Sequence, residues 1–325
     1  MSRTFMPNKQ GDIIKIPATS GMDPSVHIID EDSILAINAA IATGRPLLVR
    51  GEPGTGKSQL ARAAAAALGR AFLSHSVDGR TETRDLLYSV DAVARLATAQ
   101  VVGAVRNASP EEALLLVHVL KFIEPGPLWW AFDWDSARKQ AHDSKTRIPA
   151  KPPEWTPDRG VVVLVDEIDK ADAAIPNGLL DALGHGRFDV PGRDAVAMSS
   201  ACLPLIVMTT NEERSMPDAF LRRCLVLHLC LPDDRAALIE TLKLKGRAHF
   251  AIETCADAVL QRAAELLAQD REDLRRRDLA PPGLAEYIDL LHAVTEQRDT
   301  EAGQLALLEV VSKFAYKKHP PELLR

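Results

Sequence analysis

The 325-residue chain has room for about two domains of roughly 150 residues each. Hydrophobic residues make up 46% and charged residues 26%, which excludes a disordered chain. Its 39 Lys and Arg against 45 Asp and Glu leave a net charge of −6, which argues against nucleic acid as the default partner, because a phosphate-gripping domain is normally basic.

Ile34, Leu35, Ile37 and Ile41 set a helical apolar period over Glu31 to Thr43. Pro46 to Arg50 (PLLVR) reads as a short buried strand, and Gly51 opens a glycine-rich turn. An alanine-rich helix over Ser58 to Leu68 ends at Gly69, a residue suited to a left-handed cap. A second strand is predicted over Ala71 to Val77. Arg84 to Leu96 has helical apolar spacing.

Ser109-Pro110-Glu111-Glu112 is a helix start, with a cap residue, a first-turn proline and two acids at the positive dipole end. The polar, proline-rich stretch from Ser136 to Arg159 predicts an exposed loop. Strands follow at Val161 (VVVLV), Leu203 (LPLIVMTT) and Cys224 (CLVLHL). From Asp233 onward only helical periodicity remains. Strands alternating with helices predict an α/β domain with a mostly parallel sheet, and the remainder a second, all-helical domain. The boundaries expected are 1–231 for the first, with an insert over about 80–159, and 232–325 for the second.

Cys202, Cys224, Cys230 and Cys255 form no C-x-x-C pair, so neither a zinc site nor a disulfide framework is indicated. No leader pattern is found at the start, and apolar stretches such as Val161 to Val165 are too short to span a bilayer. The expectation is a soluble, cytoplasmic chain without a membrane partner.

Gly51-Glu52-Pro53-Gly54-Thr55-Gly56-Lys57-Ser58, followed by Gln59, satisfies G-x-x-x-x-G-K-[ST] between a strand and a helix. Backbone N–H groups of such a loop converge on phosphate oxygens, and the helix start adds its partial positive charge. Lys57 is expected on the β- and γ-phosphates and Ser58 on Mg²⁺.

Val161 to Glu167 is an apolar strand ending in two acids, where ligands of α/β sheets bind. Asp166 is expected to bind Mg²⁺ through a water and Glu167 to polarise the attacking water. Asp169 and Lys170 fit either a site role or a solvated pair at a helix start. Asn211 ends the next strand, where its amide can orient the water or touch the γ-phosphate; a turn role is the plainer alternative. No N-K-x-D segment is present, which favours ATP over GTP.

GEPGTGKS, LVDEIDKAD, MTTNEER and DAFLRRC, in this order, resemble the Walker A, Walker B, sensor 1 and arginine-finger segments of AAA+ ATPases. IPNGLLDALGHGRFDV and GPLWWAF are similar to segments of the MoxR branch. The resemblance implies a P-loop NTPase core with a parallel five-stranded sheet, a helical lid and a ring, commonly hexameric, with ATP between neighbours. It further implies chaperone or remodelling work on a protein client, often with a partner carrying a von Willebrand factor A domain. By the same resemblance Arg222 or Arg223 reaches the neighbour's γ-phosphate, with Arg223 in the commoner position. The lid departs from the family: Gly283 or Leu284 stands where a sensor 2 arginine is expected, with Arg275, Arg276 and Arg277 just upstream.

All four tryptophans, Trp129, Trp130, Trp134 and Trp155, fall in the insert. They fit local packing or, alternatively, a partner-binding or pore-facing surface. Two further functions compete with the remodeller: a nucleotide-gated signalling or defence switch with slow hydrolysis, and a nucleic-acid-stimulated motor, which the net charge disfavours.

Overall fold

The computed structural model describes residues 4–18, 23–104, 109–171, 174–198 and 202–316. The chain divides into two compact units. One is built mainly from Asp32–Val49 and Ala64–Leu227, the other from Lys9–Glu31, Arg50–Ala63 and the chain from His228 onward.

The first unit holds a five-stranded parallel sheet of β1 (Leu47–Arg50), β2 (Ala71–Ser76), β3 (Val161–Asp166), β4 (Leu205–Thr210) and β5 (Leu225–His228), in the order β5-β1-β4-β3-β2. All of β4 and β3 up to Val165 are buried, because helices cover both faces of a parallel sheet; their apolar runs are therefore continuous rather than alternating. Ala71 pairs with Val161 and Leu205 with Val162. Leu225 N donates to Pro46 O at 2.9 Å, and Leu229 N donates to Arg50 O at 2.7 Å. The equal advance along both strands means that β5 runs parallel to β1.

The helix over Glu31–Thr43 forms where its period places it, burying Ile34, Ile37 and Ile41. Ser109 caps Pro110–Leu116, as its sequence predicts, and the structure adds a reciprocal bond between Glu112 and Ser109. Two expectations are corrected. Arg84 to Leu96 is not one helix: Thr83–Leu87 gives way to a strand, Tyr88–Val90, paired antiparallel with Ile123–Pro125. Ser136 to Arg159 is not wholly an exposed loop, since a helix runs over Trp134–Ser144 and buries Ala137, Gln140 and Ala141. Asp133 caps that helix by accepting from Ser136 N, and Gln140 donates to Leu120 O and Ile123 O at 2.6 and 2.9 Å.

The tryptophans form no exposed surface. Each is buried in the main core, and Trp134 packs edge-on against Trp130 at 4.8 Å and at a tilt against Trp155 at 4.5 Å between ring centroids. The indole N–H groups of Trp129, Trp130 and Trp155 donate to Ser136 Oγ, Pro125 O and Gly160 O, which offsets the cost of burying them. The exposed apolar side chains of the insert are instead aliphatic, among them Val93, Leu96, Leu114 and Leu115.

The second unit carries an antiparallel strand pair, Ile13–Ile16 with Ser25–Ile28, absent from the sequence reading. It also holds the glycine-rich loop and the first half of α1 (Lys57–Leu68). Four helices follow: α2 (Arg235–His249), α3 (Asp257–Arg275), α4 (Leu284–Thr295) and α5 (Glu301–Ala315). Leu242, Leu260, Leu267, Tyr287, Leu291 and Tyr316 centre their core. All four cysteines are free thiols. No helix among the described residues is long and apolar enough to cross a membrane.

Candidate active site

In the second unit, Gly51 leaves β1 and turns into a loop that its glycines make possible. Gly54 and Gly56 have φ of +76° and +97°, which side-chain-bearing residues rarely adopt. Lys57 is buried, and its Nζ donates to Gly51 O at 2.8 Å and Glu52 O at 2.9 Å. Thr55 Oγ1 donates to Glu52 O at 3.0 Å. Ser58 and Gln59 open α1, and the Gln59 amide donates to Val26 O at 3.2 Å. The loop thus offers backbone N–H groups and a buried ammonium, a donor set that fits a polyphosphate.

The loop is gripped from two sides within its own unit. Arg271 of α3, 2% exposed, donates to Glu52 Oε2 at 2.6 Å and to Pro282 O at 2.6 Å. Arg275 donates to Glu52 Oε1 at 3.0 Å and to Asp233. Burial works against the Glu52 carboxylate, but the bonds and charges of both arginines outweigh it and hold its pKa below the usual value. On the other side, Ala285 N at the start of α4 donates to Gly54 O at 3.1 Å. A Cβ on Gly283 would stand 2.7 Å from Pro53 O, so the helix meets the loop where no side chain fits.

Gly283 therefore stands at the close approach, and Leu284 next to it, where a sensor 2 arginine is expected. Within the basic run, Arg275 bonds the loop through Glu52, whereas Arg276 pairs within its own helix with Glu272 and Asp273. The more deeply placed Arg271 is missing from the sequence reading. Its one available signal was an arginine on the apolar face of an amphipathic helix.

In the first unit, Asp166 and Glu167 emerge at the carboxyl end of β3 and Asn211 at that of the neighbouring β4. Thr209, fully buried, joins them: its hydroxyl donates to Asp166 Oδ1 and accepts from Glu167 N at 2.9 Å. Glu167 adopts a left-handed backbone, φ +58° and ψ +48°, uncommon for a residue with a side chain and associated with functional sites. Its carboxylate accepts from Lys170 Nζ at 2.7 Å and from Asn211 Nδ2 at 3.4 Å. The bond from Lys170 to Glu167 also raises the Lys170 pKa.

The open alternatives for Asp169 and Lys170 separate here. Asp169 is no solvated residue: at 2% exposure its Oδ2 accepts from Asn211 N and Glu213 N, both at 3.1 Å. Asp169 therefore ties the turn after β4 to the turn after β3. Asp166, Glu167, Asp169, Lys170 and Asn211 converge as one cluster, with Thr209 as the member the sequence reading missed.

Arg222 and Arg223 lie elsewhere. They follow the short helix Asp218–Leu221 and precede β5, at the amino end of the parallel sheet. Glu167 and Asn211 stand at the carboxyl end. Strands of six residues at about 3.3 Å each separate the two edges by about 20 Å. Both arginine side chains are exposed.

A family model described as AAA domain (dynein-related subfamily) matches residues 46–224, more than half of the chain. No curated protein matches. Among solved structures, a proline-to-glycine point mutant of Thermotoga maritima RuvB is similar at 17% identity over 86% of this chain and 68% of that one, with a TM-score of 0.44. The Thermotoga maritima RuvB Holliday junction branch migration motor gives 17%, 86%, 67% and 0.41. A Cytophaga hutchinsonii protein provisionally classed as an ATPase gives 13%, 86%, 78% and 0.36.

Proposed function

The chain belongs to the AAA-domain family, dynein-related subfamily, and from that membership we propose that it hydrolyses ATP at interfaces between its own copies, as a remodelling ATPase of the MoxR type. The observation that carries the interface is the placement of Arg222 and Arg223 at the amino edge of the sheet, about 20 Å from the Glu167 edge. An arginine so placed serves the γ-phosphate of an adjacent copy rather than its own.

In this reading Gly51 to Gly56 and Lys57 bind the triphosphate, with Gln59 next to them on α1. The Ser58 hydroxyl and the Asp166 carboxylate are hard oxygen donors of the kind Mg²⁺ takes, and they would hold it. The bound ion would neutralise charge on the β- and γ-phosphates. Glu167 polarises a water, which attacks the γ-phosphorus. The bond to the β-phosphate oxygen breaks, ADP leaves, and the water's proton passes to Glu167. Asn211 and Lys170 fix the Glu167 carboxylate, while Asp169 and Thr209 fix the turns that present it. Arg223, with Arg222 beside it, stabilises the charge of the transferring group on the neighbour.

The assembly is a ring, expected to be hexameric, and its work is on a protein client beside a von Willebrand factor A-domain partner, as the MoxR resemblance implies. The test is ATP turnover per chain across a wide range of protein concentration, with Glu167→Gln and Arg223→Ala as companions. A steep rise with concentration, trapped ATP in Glu167→Gln and lost turnover with retained ATP binding in Arg223→Ala are expected. Full turnover by Arg223→Ala at any concentration sinks the interface reading.

A further inference from the structure

Arg45 sits just ahead of β1, between Gly44 and Pro46, and belongs to none of the motifs. Its guanidinium donates to three consecutive main-chain carbonyls: Nη2 to Arg222 O and, at 3.0 Å, to Cys224 O, and Nε to Arg223 O at 3.2 Å. We infer that Arg45 is the positioning residue for the arginine pair that completes the neighbouring copy's site. The inference rests on the interface reading above and deepens it.

The physical need is specific. The helix Asp218–Leu221 is a single turn, and a helix end leaves carbonyls without intrahelical partners. A cation that bonds them is favourable both as a hydrogen-bond donor and against the negative helix end. Only a planar guanidinium presents donors spread widely enough to span three successive carbonyls; an ammonium offers its donors from one point.

The backbone at Arg45 is constrained. Pro46 fixes the chain beside it, and Pro46 O accepts from Leu225 N at 2.9 Å. One short segment therefore binds the start of β5 through its main chain and the arginine turn through its side chain. The Arg222 and Arg223 backbones are fixed while their side chains remain exposed. Pre-ordering the base of a long side chain reduces what must be ordered when it engages a phosphoryl group.

A residue that acts through the arginine pair must act on the neighbour's site, and mixed assemblies read this out. Arg45→Ala and Arg45→Lys are prepared in the full chain. Turnover of Arg45→Ala is expected to fall about tenfold or more, short of the about 10³-fold or greater loss of an arginine finger itself. ATP affinity stays within about twofold. Arg45→Lys, which keeps the charge, falls between and guards against a simple folding defect.

The decisive step mixes Arg45→Ala with Glu167→Gln. The Glu167→Gln copies are inert at their own sites but lend a well-placed arginine pair to intact Arg45→Ala sites, so the mixture should exceed the sum of its parts. Mixing Arg223→Ala with Glu167→Gln is the control. If the control is restored and the Arg45→Ala mixture is not, the role of Arg45 is overturned. If neither is restored, the interface reading falls and the inference with it. Wild-type turnover in Arg45→Ala alone also overturns it.

Discussion

Arg271 of the helical unit donates to the carboxylate of Glu52 in the glycine-rich loop at 2.6 Å, and Arg275 closes on the other oxygen at 3.0 Å. Arg271 is 2% exposed, so the pair orders the loop from beneath rather than decorating its surface. These arginines of α3 grip the loop itself, upstream of Gly283 and Leu284, where the family resemblance implies an arginine aimed at nucleotide.

Replacing Glu52 by Gln leaves a buried guanidinium without its counter-charge. A partly buried pair of this kind is expected to cost about 2–3 kcal/mol, because a charged hydrogen bond is lost while the arginine stays desolvated. Urea unfolding of Glu52→Gln, Arg271→Met and the double variant measures it. The double variant should be less destabilised than the two single losses added together. Strict additivity would mean that the two groups do not interact.

An arginine placed at position 283, one of the two positions where a sensor 2 arginine is expected, should not work as a sensor. A Cβ there meets Pro53 O at 2.7 Å, so even Gly283→Ala must push α4 from the loop. Overpacking of this sort costs about 1–3 kcal/mol. Gly283→Ala and Gly283→Arg are both expected to weaken ATP binding and lower the melting temperature, and neither to raise turnover. Equilibrium binding of a fluorescent ATP analogue reads the first effect directly.

Asp169→Ala removes the acceptor for two main-chain N–H groups, those of Asn211 and Glu213. Each buried donor left unpaired costs about 1–3 kcal/mol. Because the loosened turn carries Asn211, kcat should fall far more than ATP affinity. Asp169→Asn keeps a carbonyl acceptor and should recover much of the loss. A change in affinity alone would assign Asp169 to the loop rather than to the water.

Stability should fall in mild acid through His27. Burial, and then the charge of Lys245, lower its pKa from 6.5 to about 4, while Asp30 and a bond to Gln59 oppose the shift. Its Nε2 has no hydrogen-bond partner among the described residues. With the folded value below the unfolded one, the unfolded chain binds more protons between those limits. Stability therefore rises with pH across that window and is lost on acidification, by up to about 3 kcal/mol. Unfolding free energies from pH 4 to 7 should rise less steeply in His27→Gln. Some slope remains, since burial also lowers the pKa of His75 and His249.

Much of this architecture is local and therefore readable from the chain. Glycine spacing, a strand ending in Asp166-Glu167 and the capped helix start at Ser109 each depend on neighbours within a few residues, and the structure forms them in place. The buried strands were legible because a parallel sheet covered on both faces needs unbroken apolar runs. The Trp134–Ser144 helix was not, because its polar, proline-flanked sequence reads as loop until Trp134 and Ala137 find a core to pack on. Thr209, Arg271 and Arg45 lie 43, 219 and 178 residues from Asp166, Glu52 and Arg223. No period or spacing joins residues so far apart. The order of residues along the chain is enough to propose which groups serve phosphate, metal and water chemistry. Which side chains hold those groups, and that the arginine pair lies at the opposite edge of the sheet from Glu167, emerges only on folding, because both follow from the path by which the chain returns to its own sheet.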